Sequence, residues 1–216
     1  MDRGGSPAYH PGMLSLRQNG RLSVLRILVG LNVLIFLFSL LLTPMGQIRF
    51  DGIFGLSMRG VSEGMIWQFV THQFLHGSLL HLLVNMFGLW FAGRVLENLL
   101  GGWKFLLFYL TCGIIGGIFQ LVIAPGPILI GASGAVCGVV AAFSALYPEM
   151  QITALLFFVL PIRMRAKWLG RIIVAVSVLL ILTGLMGNVG NAAHLGGALA
   201  GYAFVWLGKS RWARAR

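Results

Sequence analysis

Residues 124–148, "APGPILIGASGAVCGVVAAFSALYP", decide the fold. Pro125 and Pro127 end any helix arriving from the N-terminal side, and Pro148 ends the one that leaves. Between them the chain is apolar, rich in small residues and uncharged. A helix from Ser133 to Tyr147 would rise only about 22 Å, less than the roughly 30 Å of a bilayer core. Such a helix starts below the membrane surface, joined to non-helical backbone. That backbone is tolerated only where protein or a water-filled cavity surrounds it. The alternative is a helix from Ile128, which would just span. Ser133, with Gly131 before it and Gly134 after it, is either packing filler or a nucleophile inside a bilayer. The spacing alone leaves both open.

The rest of the chain settles the solvent. Of 216 residues, 58% are apolar and 10% charged, far less charge than a soluble domain carries. An all-α polytopic membrane protein is expected. The net charge of +11 then reads as basic loops at anionic lipid, not as a nucleic-acid footprint. Cys112 and Cys137 both sit in apolar runs, so a disulfide framework is not expected.

Six candidate spans follow from apolar length. They are about Val24 to Thr43, Leu79 to Leu100 (with Ser78 as N-cap), Trp103 to Ile123, Ser133 to Tyr147, about Lys167 to Met186, and about Asn191 to Gly208. The run from Ile152 to Leu160 is too short to span and reads as interfacial or partly buried. With a cytoplasmic N-terminus, fourteen of the sixteen Lys and Arg fall on the cytoplasmic side, leaving Arg49 and Arg59 outside. This bias predicts six helices with both termini inside. The expected domains are a basic tail over 1–23, a membrane domain over 24–208 with a first loop at 44–77, and a basic tail over 209–216.

In that topology the second, fourth and sixth spans start at one depth. Their first turns carry His81, Ser133 and His194, with Asn85 one turn below His81 on the same face. Polar side chains inside a membrane are costly and tend to be functional. Ser133 is a candidate nucleophile and His194 a candidate base. The unpaired first amides of the fourth helix, with His81 and Asn85, are candidate oxyanion donors. The carboxylates are Asp2, Asp51, Glu63, Glu97 and Glu149. Only Glu97 lies within a span, too deep to orient His194, so any catalytic unit is a Ser–His dyad. Glu97 itself is expected to snorkel or to cap the third helix. His72, His76 and His81 lack a HExxH pattern and a neighbouring carboxylate, so no metal is expected. GxxxG pairs at Gly113/Gly117, Gly134/Gly138 and Gly197/Gly201 permit close helix approach. The last two flank Ser133 and His194. The halves show no repeat of the kind transporters carry.

The set "THQFLHGSLLHLLVN", "GASGAVCG" and "NAAHLGGALAGY", in that order, resembles the rhomboid intramembrane serine proteases over about Val24 to Leu207. The resemblance implies a six-transmembrane-helix rhomboid-like bundle and an intramembrane serine endopeptidase that cuts transmembrane segments through an acyl-enzyme. It implies Ser133 as nucleophile, His194 as base, and His81, Asn85 and the Ser133 amide as oxyanion hole. His72, His76 and Glu97 are implied as structural, and Gly131, Gly134, Cys137, Gly197 and Gly201 are expected to pack around the site. Residues 44–77 would be a membrane-embedded loop. Implied partners are single-pass or polytopic transmembrane substrates and the lipid bilayer. No cofactor and no nucleic acid is expected, and the oligomeric state stays open. The expected location is a bacterial inner membrane. Two positions depart from the pattern. Gln68 after Trp67 stands where an arginine is usual, which questions the anchoring of the first loop. Cys137 stands where an aromatic commonly stacks on the histidine. A non-hydrolytic protein that binds transmembrane helices is the alternative from another class.

Overall fold

The computed structural model describes residues 23–156, 160–185 and 190–208. The expected basic tails lie outside them except for Ser23. Nine α-helices and one β-hairpin form the described part. A helix at Val24–Ser39 (α1) leads into a first loop that is itself helical, with α2 at Pro44–Phe54, α3 at Met58–Ser62, α4 at Gln68–Thr71 and a 3₁₀ turn at His72–Phe74. Then follow α5 (Leu79–Leu100), α6 (Gly102–Ile123), α7 (Ser133–Leu146), the hairpin strands β1 (Gln151–Leu156) and β2 (Leu160–Arg165), α8 (Ala166–Thr183) and α9 (Asn191–Leu207).

The central element is α7, in which eleven of fourteen residues are buried. It starts at Ser133, not at Ile128, because the preceding backbone is spent elsewhere. Leu129 exchanges two backbone hydrogen bonds with Leu56, and the Gly131 amide donates to the His72 carbonyl at 2.8 Å. Small residues let α9 lie directly on α7. A Cβ on Gly197 would run into the Gly134 carbonyl, and one on Gly201 into the Gly138 carbonyl. Both pairs keep one sequence offset, so the two helices run parallel in a single register.

Several boundaries differ from expectation. The first helix stops at Ser39, because Thr43 instead caps α2 by accepting from the Gly46 amide, with Pro44 opening that helix. The fifth span ends at Thr183, where Gly184 adopts φ +64°; Met186 lies outside the described residues. The run after α7 is a strand. Gln151–Leu156 pairs antiparallel with Leu160–Arg165, Pro161 bars a helix, and Ile152 is buried against the bundle. Gly113 and Gly117 do not form a helix seam. They make room for side chains of the first loop, Gln73 at Gly113 and Leu56 with His72 at Gly117.

Glu97 also has a different partner from the one expected. Its carboxylate accepts from the Val24 amide at 2.6 Å, the Leu25 amide at 3.3 Å and the Ser23 hydroxyl at 2.7 Å. It therefore caps α1 across the bundle and not α6, placing negative charge where a helix N-terminus favours it.

Among the described residues, α5, α6 and α8 are long and apolar enough to cross a membrane. The helices α1, α7 and α9 are shorter, at 16, 14 and 17 residues. Leu83, Phe87, Val122, Leu179 and Leu182 are exposed, the outward apolar belt that lipid solvates.

Candidate active site

The parallel register of α7 and α9 brings their first turns together. His194 Nε2 lies 2.8 Å from Ser133 Oγ. For the hydroxyl to donate in this contact, the imidazole proton must sit on Nδ1. Ser133 is the first residue of α7, and the first intrahelical bond runs from the Val136 amide to the Ala132 carbonyl. The amides of Ser133, Gly134 and Ala135 thus have no partner within the helix, and the positive end of its dipole surrounds the hydroxyl.

His81 comes from the first turn of α5, where the Ser78 hydroxyl accepts from the His81 amide at 3.2 Å. Its ring rests on the backbone of Gly131. A Cβ there would stand 2.7 Å from His81 Cε1 and 3.7 Å from Ser133 Oγ. Gly131 also holds φ +129°, a conformation that strains any other residue. One glycine thus shapes the corner from which α7 starts and lets the His81 ring approach it. Asn85 is buried on the same face of α5, and its amide donates to the His81 carbonyl at 2.9 Å. That bond uses one of its two amide hydrogens.

His76 packs edge-on to His81, with ring centres 4.9 Å apart. It is buried. Cys137 is half-buried with a free thiol, one turn along α7 from Ser133. Glu97 is committed to α1, so no carboxylate from a span stands behind His194.

Three contributions go beyond what the sequence indicated. Gln68 is fully buried, and its amide donates to the Gly52 carbonyl at 2.9 Å and accepts from the Ser57 amide at 3.1 Å. Trp67 Nε1 donates to the Ile53 carbonyl and the Thr71 hydroxyl to the Phe54 carbonyl. Together they satisfy the last carbonyls of α2, so a neutral amide anchors the first loop where an arginine was expected. His72 is buried with Nδ1 2.7 Å from the Gln68 carbonyl. Burial pushes its pKa down to about 4, against the opposing pull of that hydrogen bond. Gln120 is buried on α6 and accepts from the Ala193 amide at 3.2 Å, one residue before His194. A lone glutamine near the end of an apolar run was the available signal.

The fold and the site define a helical membrane protein with a serine and a histidine joined at the head of two parallel helices. A Rhomboid domain matches residues 63–211, and the chain belongs to the rhomboid family. It is an integral, multi-pass membrane protein. It is 30% identical over 190 residues to the rhomboid protease GluP of Bacillus subtilis (strain 168), covering 86% of this chain and 34% of that protein. It is 28% identical to the putative rhomboid protease YdcA of the same organism, covering 85% of this chain and 87% of that one. It is also 36% identical over 147 residues to mitochondrial rhomboid protein 1 of Saccharomyces cerevisiae, covering 63% of this chain and 40% of that protein. The chain therefore spans about a third of the length of the first relative.

Proposed function

We propose that this chain is an intramembrane serine endopeptidase that cleaves transmembrane segments of other membrane proteins. The observation that carries the reading is the 2.8 Å contact between Ser133 Oγ and His194 Nε2. His194 takes the hydroxyl proton as Oγ attacks the scissile carbonyl carbon. The oxyanion is met by the Ser133 amide and by side-chain donors from His81 and Asn85. Proton return from His194 Nε2 to the leaving amine breaks the peptide bond and leaves an acyl-Ser133. His194 then deprotonates a water that attacks this ester, and the new carboxyl terminus leaves as Oγ regains its proton. In the resting state the hydrogen bond to Oγ orients the imidazole for this transfer.

In the same reading the bundle spans six times over 24–208 with both termini cytoplasmic, supported by the Lys and Arg bias. The first loop at 44–77 lies in the membrane beside the site. The family and its protease-named relatives support peptide-bond hydrolysis; the Bacillus relatives are the support for a bacterial inner (plasma) membrane, beside a yeast relative that is mitochondrial.

The test is cleavage of a model transmembrane substrate by the purified protein, with fluorophosphonate labelling of Ser133. Ser133→Ala and His194→Ala should each abolish cleavage. Full activity in either variant overturns the reading, and an inert, unlabelled wild type favours a non-hydrolytic binder of transmembrane helices.

A further inference from the structure

The backbone of Ala193, directly before His194, is held from three sides. Its carbonyl oxygen faces Gly116 of α6 and Gly134 of α7, where added Cβ atoms would stand 2.7 and 3.3 Å from it. Its amide donates to Gln120 Oε1 at 3.2 Å. Gln120 is only 3% exposed and also donates through Nε2 to the Ala124 carbonyl, at the C-cap of α6. This side chain therefore links the end of one helix to the start of another.

The start of α9 needs such a partner. Its N-cap is Gly190, which offers no side chain, and the first intrahelical bond runs from the His194 amide to the Gly190 carbonyl. The amides of Asn191, Ala192 and Ala193 precede that bond and lack helical partners. Helices normally meet this need with a local Ser, Thr, Asp or Asn. Here α6 provides the cap from 73 residues away. The two glycines limit sideways movement of the Ala193 peptide. Among the described residues, Gln120 is the side chain that answers an unpaired amide in the turn that carries His194.

We propose that Gln120 is a positioning residue for the Ser133–His194 pair, acting through the Ala193 amide. The inference rests on the dyad reading. The geometry gives it a specific sign: the acceptor oxygen aimed at the Ala193 amide is the group that matters. Gln120→Glu keeps the acceptor and, as the neutral acid that burial in an apolar setting favours, a donor for the Ala124 carbonyl, whereas Gln120→Leu removes both at similar volume.

Three readouts on the purified full chain test this. Hydrogen exchange at the Ala193 amide should speed up in Gln120→Leu and stay near wild type in Gln120→Glu. Fluorophosphonate labelling of Ser133 in the folded fraction should slow by roughly tenfold in Gln120→Leu, since loosening a catalytic geometry costs rate steeply. Its kcat on a transmembrane substrate should fall alongside while KM stays within about twofold, the pattern of a lost transition-state geometry. Gln120→Glu should recover both rates. Unchanged exchange at Ala193, wild-type labelling in Gln120→Leu, or equal losses in both variants would each overturn the inference while leaving the dyad reading intact. A Ser133→Ala variant that cleaves normally would sink the dyad reading, and this inference with it.

Discussion

Gly197→Ala tests the seam on which the site depends. In the structure a Cβ at residue 197 would lie 2.7 Å from the carbonyl carbon of Gly134 and closer still to its oxygen. Ordinary contact begins near 3.4 Å, so the carbon contact alone demands that α9 retreat from α7 by about 0.7 Å, and the closer oxygen demands more. The obstacle is backbone, which cannot rotate aside as a side chain can. Ser133 directly precedes Gly134, and His194 lies about one turn before Gly197, at the heads of these same two helices. The same displacement would stretch their 2.8 Å contact to roughly 3.5 Å, beyond a useful hydrogen bond. Overpacking of this kind costs about 1–3 kcal/mol of stability. The loss of alignment should cost on the order of 100-fold in rate. Gly30→Ala on α1 is the control, because nothing lies within 4 Å of its Cβ position. The assay is fluorophosphonate labelling of Ser133, normalised to folded protein, beside thermal unfolding. Near-wild-type labelling in Gly197→Ala would refute the claim that the glycine seam sets the distance between the two reactive groups.

Three further outcomes are expected. Glu97→Ala removes the acceptor shared by Ser23, Val24 and Leu25 and should cost about 0.5–2 kcal/mol in thermal unfolding, with labelling of the folded fraction unchanged. Cys137→Tyr restores an aromatic one turn from Ser133 and should keep or raise cleavage; a tenfold loss would mean that the site is packed around the small residue. The fold should weaken in acid, since burial lowers the His72 pKa from 6.5 to about 4. The neutral ring's contribution is complete above pH 6.5 and fades as the pH drops toward 4, by about 3 kcal/mol at most. His72→Gln should flatten part of that slope in denaturation series between pH 7 and 4.5, and identical slopes would count against the assignment.

Local chemistry made much of this architecture legible. Prolines at 125, 127 and 148 and the glycine at 131 delimited α7, and Ser78 marked the start of α5, because breakers and caps act within a turn of where they stand. Apolar length and charge identified the membrane as solvent. The direction of successive spans put His81, Ser133 and His194 in one layer, since alternate helices must begin on the same side. Contacts between residues distant in the chain were decided only by the tertiary structure. The carboxylate of Glu97 serves α1 and not α6, Gln68 answers the carbonyls of α2, Gln73 and His72 fill the notches at Gly113 and Gly117, and Gln120 holds the amide before His194. Each of these polar groups had to find a partner away from lipid. Which of several reachable partners it takes depends on how the helices pack against one another, and no local periodicity records that choice.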